Sequence, residues 1–398
     1  MVAASRARVF TAVLLAVVVP AGCRDAGGPV PAGELVIAVG GEGSTIFVVD
    51  PIAGRVVARP GPVPYLKGPG ALSPDRATLY FGGADQTGAW LYALDLRNFQ
   101  LKRWLQLNSP ANFHETDGLW IGERGIAFSP DGTRMFLGMA SRTNPFVKNQ
   151  ANPDAEHVAV LDVATRHVVG LTGPLYVHDA GLATLPPGPT APRGAILAIG
   201  MRSWPLYGPS QSWLYVIDPV TLAVLDSTTV NPPNPSYGGT LQQVVPAPDG
   251  RSVYLVGLDA VVYKYDLVER RVVAHANAPL DGTLVIAPDG QRLYVTDAGY
   301  GPGAPGPGRV AAIAVFGPDL ERLDPIDLNV MFNGAPPVTG GAAVSRDNTR
   351  LYVAAGTSSA GIDYAGEPLR ILVIDVATHA LLRAVPLGEY GGVALFVR

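Results

Sequence analysis

The chain has a single cysteine, Cys23, among 398 residues. No disulfide can form within it, and a folded body beyond Cys23 has no Cys nucleophile. Charge is scarce as well, with Asp, Glu, Lys and Arg together at 16%. The formal net charge is −4, and no basic patch interleaved with aromatics occurs, which argues against a nucleic-acid partner. Several catalytic and nucleotide-binding signatures are missing. There is no Gly-x-Ser-x-Gly elbow, no phosphate-binding loop, no Gly-x-Gly-x-x-Gly directly after a strand and no Asp/Asn-rich calcium loop. The one long apolar run near the N-terminus, Val9 to Val19, is too short for a comfortable membrane span.

What the chain does have is hydrophobic content of 48%, 47 glycines and 37 prolines. This is the composition of a turn-punctuated all-β protein rather than a disordered one. Thr283 to Gly299 carries the organising pattern: an apolar run, then Ala287-Pro288-Asp289-Gly290, then a second apolar run. Pro288 presets φ for a tight turn and Gly290 tolerates positive φ. Leu293 and Val295 alternate with Tyr294 and Thr296, which suits a half-buried strand. The same hairpin recurs at Ala71 to Tyr80, Ile126 to Leu137, Val245 to Leu255 and Ala343 to Val353. A third apolar strand follows most copies and ends in Asp, at Asp50, Asp95, Asp162, Asp218, Asp266 and Asp375. Val310 to Phe316 fills the same slot without the Asp. A short turn and a fourth strand come next. Four antiparallel strands at a period of roughly 40 to 55 residues predict a propeller blade. The count is seven. Leu35 to Gly40 has no hairpin partner before it, and Gly391 to Arg398 resembles an innermost strand with no blade after it. Their pairing would close the ring and remove its free edges. The fold expected is therefore all-β: a seven-bladed propeller over residues 34–398, closed by its two terminal strands.

Residues 1–22 have the features of a signal peptide: Arg6 and Arg8, the apolar run, then Pro20-Ala21-Gly22 before Cys23. Gly before Cys resembles a bacterial lipobox, which implies that Cys23 is lipidated and becomes the new N-terminus. Pro20 departs from the Leu typical there. Residues 23–33 would then be the lipidated Cys and a flexible tether. The resulting address is exported and membrane-anchored, facing the periplasm or cell surface, and a monomer is expected.

Blade topology sorts the connections by face. The turns between first and second strands, and between third and fourth, are short and share one face. The opposite face receives the second-to-third loops and the blade-to-blade connections, several of them long: Met139 to His157, Met201 to Trp213, Asp297 to Gly308, Gly356 to Pro368 and Leu107 to Glu123. Long loops on a rigid frame are where function concentrates. Residues just before each first strand should ring the axial mouth on that face. They are Tyr65, Lys67, Glu123, Arg124, His178, Asp179, Tyr237, Asp281, Asn333, Glu389 and Tyr390. Of these, His178, Asp179 and Glu123 are the candidates for acid–base chemistry. Tyr65, Lys67, Arg124, Tyr237, Asp281, Glu389 and Tyr390 are candidates for ligand contact. His114, Glu115 and Asp117 match no metal-ligand spacing, and no metal is predicted. The aromatics Phe146, Trp204, Tyr207, Trp213, Tyr300 and Tyr364 fall in the long loops, where they either stack on a ligand or pin the loops to the blades.

Leu293 to Asp297, Leu351 to Ala355 and the Pro-Asp-Gly turns before them resemble the bacterial Tyr-Val-Thr-Asn repeat propellers, which are exported seven-bladed proteins. The resemblance covers roughly Leu35 to Arg398 and implies fold more than function, because its motifs are turn and packing residues. Relatives by architecture include lactonases and subunits of quinoprotein amine dehydrogenases. The Asp-Val-Ala-Thr turns at Asp162 and Asp375 also resemble the repeats of pyrroloquinoline quinone dehydrogenases. The Gly and docking Trp of those repeats are missing, so no cofactor is predicted. The reading that follows is a binding scaffold for an envelope protein, peptide or glycan on the long-loop face. A lactonase-like hydrolase with its site at the axial mouth is the alternative.

Overall fold

A computed structural model describes residues 33–40, 45–61, 63, 67–85, 88–107, 120–140, 157–172, 175, 181–202, 211–230, 241–257, 260–279, 282–296, 312–328, 337–357, 369–388 and 393–398. The strands form seven sheets of four, each antiparallel throughout. Blade 1 takes its innermost strand from the C-terminus: Val393–Val397 pairs with Val36–Gly40, from Val36 opposite Val397 to Gly40 opposite Val393. The Arg398 N–H donates to the Leu35 carbonyl at 2.9 Å and continues that ladder. Blades 2 to 7 follow in chain order, with first strands Lys67–Leu72, Trp120–Phe128, Leu182–Leu185, Leu241–Pro246, Leu284–Ile286 and Pro337–Val344. The closed seven-bladed propeller expected from the repeat is the fold observed.

The Leu293–Val295 strand departs from expectation. Leu293, Tyr294, Val295 and Thr296 are all fully buried, so both faces of the strand are covered. The reason is the ring itself, since every blade is packed between two others. Each of the seven blade-to-blade interfaces holds its own cluster of buried side chains. Alternate residues of one strand serve different neighbours. Leu351 and Val353 pack toward blade 6, while Tyr352 and Ala354 pack toward blade 1. Two-sided burial turns the alternation of a sheet edge into a continuous apolar run. Fourth strands lie at the rim and keep the alternation, as in Arg271–Asn277.

Polar staples cross the interfaces. Arg134 Nη1 donates to the carbonyls of Pro219 and Val220, Arg292 Nη1 to Val376 and Arg383 Nη1 to Ala53. The closing blade is tied to blade 2 by Arg76 to the Val397 carbonyl and by Arg398 to the Leu96 carbonyl, and to blade 7 by Arg59 to the Leu387 carbonyl. These bonds join one blade to the next through backbone carbonyls at the turns and strand ends.

Candidate functional site

The two faces differ in how their polar groups are used. On the turn face, each Asp that ends a third strand accepts N–H groups from its own turn. Asp218 Oδ1 accepts from Val220 at 2.8 Å and Thr221 at 2.7 Å, and Asp375 Oδ1 from Ala377 and Thr378. Asp50 and Asp266 do the same. The recurring Asp is thus a turn cap. In blades 2, 3 and 7 the first-to-second turn closes with a Ser–Asp pair. Ser129 Oγ donates to Asp131 at 2.6 Å and accepts the Arg134 N–H, and Ser345 is placed likewise against Asp347 and Arg350. Hydrogen bonds from Ser345 and then Thr349 pull the Asp347 carboxyl down to a pKa of about 2. The Asp131 carboxyl is lowered by Ser129 and that of Asp162 by the Thr165 N–H. Gly290 adopts φ 71, the conformation its turn position requires.

On the opposite side, the first strands of blades 2, 3, 5 and 7 are irregular in their loop-face halves. In blade 3, Ile121 pairs with Met139 but Ile126 with Leu137, so residues 122–125 stand opposite Gly138 alone. In blade 2, residues 68–70 stand opposite Phe81, and in blade 7 Gly340 and Gly341 opposite Ala354. Blade 5 has one extra residue, Gln242. First strands pair only with their second strands, so their inner edges present backbone N–H and C=O groups to the axis. A bulge adds unpaired groups and re-aims the chain. Glycine makes this possible. A Cβ on Gly70 would collide with the Tyr80 carbonyl, and one on Gly282 with that of Thr296.

Glu123 and Arg124, expected just before a first strand, lie inside it, within the blade 3 bulge between Gly122 and Gly125. Lys67 is likewise the first residue of its strand. The strand starts earlier than the apolar pattern suggested because the bulge interrupts that pattern. Trp213, placed in a loop by its spacing, belongs to the third strand Gln211–Ile217 and stacks on Tyr215 with centroids 6.1 Å apart. His178, Asp179, Tyr65, Tyr237, Asp281, Asn333, Glu389 and Tyr390 lie outside the described residues, as do Cys23, His114 to Asp117 and the remaining loop aromatics. His157 begins a third strand as expected, with Nδ1 2.9 Å from the Thr172 carbonyl.

Polar side chains near the axis are partly committed already. The Gln243 amide donates to the Leu284 carbonyl at 2.8 Å and accepts the Leu284 N–H at 2.9 Å, joining two first strands. Thr184 Oγ1 donates to the Phe128 carbonyl. A cavity of about 290 Å³ lies between the first strands of blades 2, 3 and 4, lined by Leu72, Ile126, Phe128, Ala183 and Thr184. Pro74, Ser129 and Pro130 of the first-to-second turns also line it, and no His, Asp, Glu, Lys or Tyr does. Among the described residues no group of three or more His, Cys, Asp or Glu is placed to hold a metal ion. What the bulged first strands can do on this geometry is hydrogen-bond a polar ligand through their unpaired backbone groups.

No family model matches the chain, and no curated protein matches it. Among solved structures it is similar to dihydro-heme d1 dehydrogenase NirN in complex with DHE, at 14% identity and a TM-score of 0.50, over 90% of this chain and 74% of that one. At that identity the likeness is one of fold: both chains are β-propellers.

Proposed function

We propose that this protein is an exported, lipid-anchored propeller that binds a protein, peptide or glycan at its axial funnel and long-loop face. One observation carries the reading. The first strands of blades 2, 3, 5 and 7 leave register on the loop-face side, while the turn face spends its carboxylates and hydroxyls on its own backbone. Bulges at the rim of a closed sheet are a common device for presenting a binding site. The long connections 108–119, 141–156, 297–311 and 358–368 leave from that same side. Acylation of Cys23 would supply the anchor.

The test is a thermal-shift panel on the purified full chain, covering glycans, envelope-derived peptides, lactones, divalent ions and hemin. A ligand at a hundred times its Kd stabilises by about 2.7 kcal/mol, which moves Tm by several degrees. Replacing residues 141–156 with a short turn should abolish the shift and preserve the β-sheet circular dichroism. An undiminished shift in that variant would refute the placement.

Glu123 in the blade 3 bulge favours a second reading, a lactonase-like hydrolase in which Glu123, His178 or Asp179 activates water. Lactone turnover that disappears in both Glu123→Gln and His178→Ala would move the assignment there.

A further inference from the structure

The propeller body joins its N-terminal segment at one place. Val36–Gly40 is the second strand of blade 1, and second strands begin at the turn face. Gly33 and Glu34 therefore lie on that face. Glu34 is fixed there: Oε1 accepts the Tyr352 hydroxyl at 2.5 Å and Oε2 accepts the Arg346 N–H at 2.9 Å. Residues 24–33 are all that separates Cys23 from this point. Fully extended they reach about 35 Å. Bringing the loop face to a lipid surface would require passing outward across two more strands, about 10 Å. The segment would then run the length of a strand such as Arg271–Asn277, about 23 Å. Nearly the whole reach is used before the long loops are cleared.

Among the described residues, the turn face carries exposed aliphatic groups. Ile52, Val220 and Val268 occupy the same turn position, two residues after the capping Asp, in blades 1, 4 and 5, with exposures of 53%, 52% and 51%. A second set comes from bulges in the fourth strands. Val169, Leu225 and Leu382 are the extra residues of those bulges in blades 3, 4 and 7, and each is at least half exposed. Leu225 and Leu382 are the second residues of their strands, next to the turns, and Val169 is the middle residue of its strand. Toward the axis, Arg346, Arg350 and Arg398 line an open cleft of about 400 Å³ beside Gly33 and Glu34. The two acids in the cleft are engaged by donors of their own. Glu34 has Tyr352 and the Arg346 N–H, and Asp347 has Ser345 and Thr349.

We infer that the turn face is the lipid-facing surface of this protein. Aliphatic side chains at the rim meet the headgroup–acyl boundary, the arginines of the cleft meet headgroup phosphates, and the long-loop face points away from the membrane. Interfacial contact of this kind adds to an acyl anchor and orients what it holds. The inference rests on the anchoring of Cys23 proposed above.

Cys23 is the only cysteine, so once acylated it leaves an introduced thiol as the sole labelling site. Val268→Cys and Asn277→Cys lie at opposite ends of blade 5, and both positions are exposed. The full chain carrying either substitution, labelled with a nitrobenzoxadiazole dye, is reconstituted in phosphatidylethanolamine–phosphatidylglycerol vesicles containing nitroxide-labelled lipid. The orientation predicts about a twofold loss of fluorescence at position 268 and none at 277. Quenching at 277, or at neither position, with Cys23 shown by mass spectrometry to carry its acyl chains, overturns the orientation and leaves the anchoring intact. An unmodified Cys23 removes both.

Discussion

Blade 4 and blade 3 show the contrast between the faces in single residues. On the turn face, Asp218 accepts two N–H groups, and the turn it caps receives Arg134 from blade 3 on its own carbonyls. On the loop face of blade 3, residues 122–125 stand opposite one glycine and leave the ladder. Both kinds of position recur around the ring. The first is sequence used to hold blades together, and the second is sequence that gives up sheet pairing. A protein selected for stability alone would have no reason to break four first strands on the same side.

Removing residues 393–398 deletes the first strand of blade 1 and reopens the ring. More than about 5 kcal/mol should be lost, comparable to the whole stability of a typical domain, and denaturant unfolding should lose its single cooperative transition. Phe316→Ala, at a fully buried site between blades 5 and 6, should cost about 3–5 kcal/mol by the same measurement, with ligand affinity unchanged. Asp218→Ala leaves two turn N–H groups without their acceptor and should cost about 1–2 kcal/mol, again without touching binding. The loop-face double variant Glu123→Gln, Arg124→Gln should behave in reverse. Its stability should stay within about 0.5 kcal/mol of the parent, while ligand-induced shifts in Tm are lost.

Acid supplies a further test of the turn face. The carboxyls of Asp75, Asp131, Asp162, Asp218 and Asp375 are all lowered by hydrogen bonds, and that of Asp347 reaches about 2. A carboxyl whose folded pKa lies below its unfolded value of about 3.9 contributes stability above that value. The contribution disappears as pH falls toward the folded value. Melting temperature should therefore hold from neutral pH to about 4 and then fall steeply toward about 2. Ser345→Ala should shift the steep part upward by weakening the largest support of Asp347.

The frame is legible in the sequence because its signals are local. Pro288-Asp289-Gly290 sets a turn, Asp375 caps one, and each repeats at a spacing that counts blades. The unpartnered strands at Leu35 and Gly391 announce the closure for the same reason. The Glu123–Arg124 bulge is not legible, because register is a relation between two strands and the apolar pattern of one strand does not contain it. A trace is present: Gly68, Gly122, Gly181, Gly282 and Gly340 stand at or near the start of five first strands. Read as turn punctuation, those glycines hide the close backbone approach that Gly70 and Gly282 require. The full burial of Tyr294 escapes the sequence on similar grounds, since the second covered face comes from a neighbouring blade rather than from the strand itself.

Hydrogen exchange on the full chain, with and without the strongest ligand from the thermal-shift panel, tests the division of labour most directly. The account predicts slowed exchange at residues 67–70, 122–125, 241–243 and 340–341, with the turns 73–77, 129–133 and 218–223 unchanged. Protection concentrated on those turns, with the bulged strands unaffected, would contradict it.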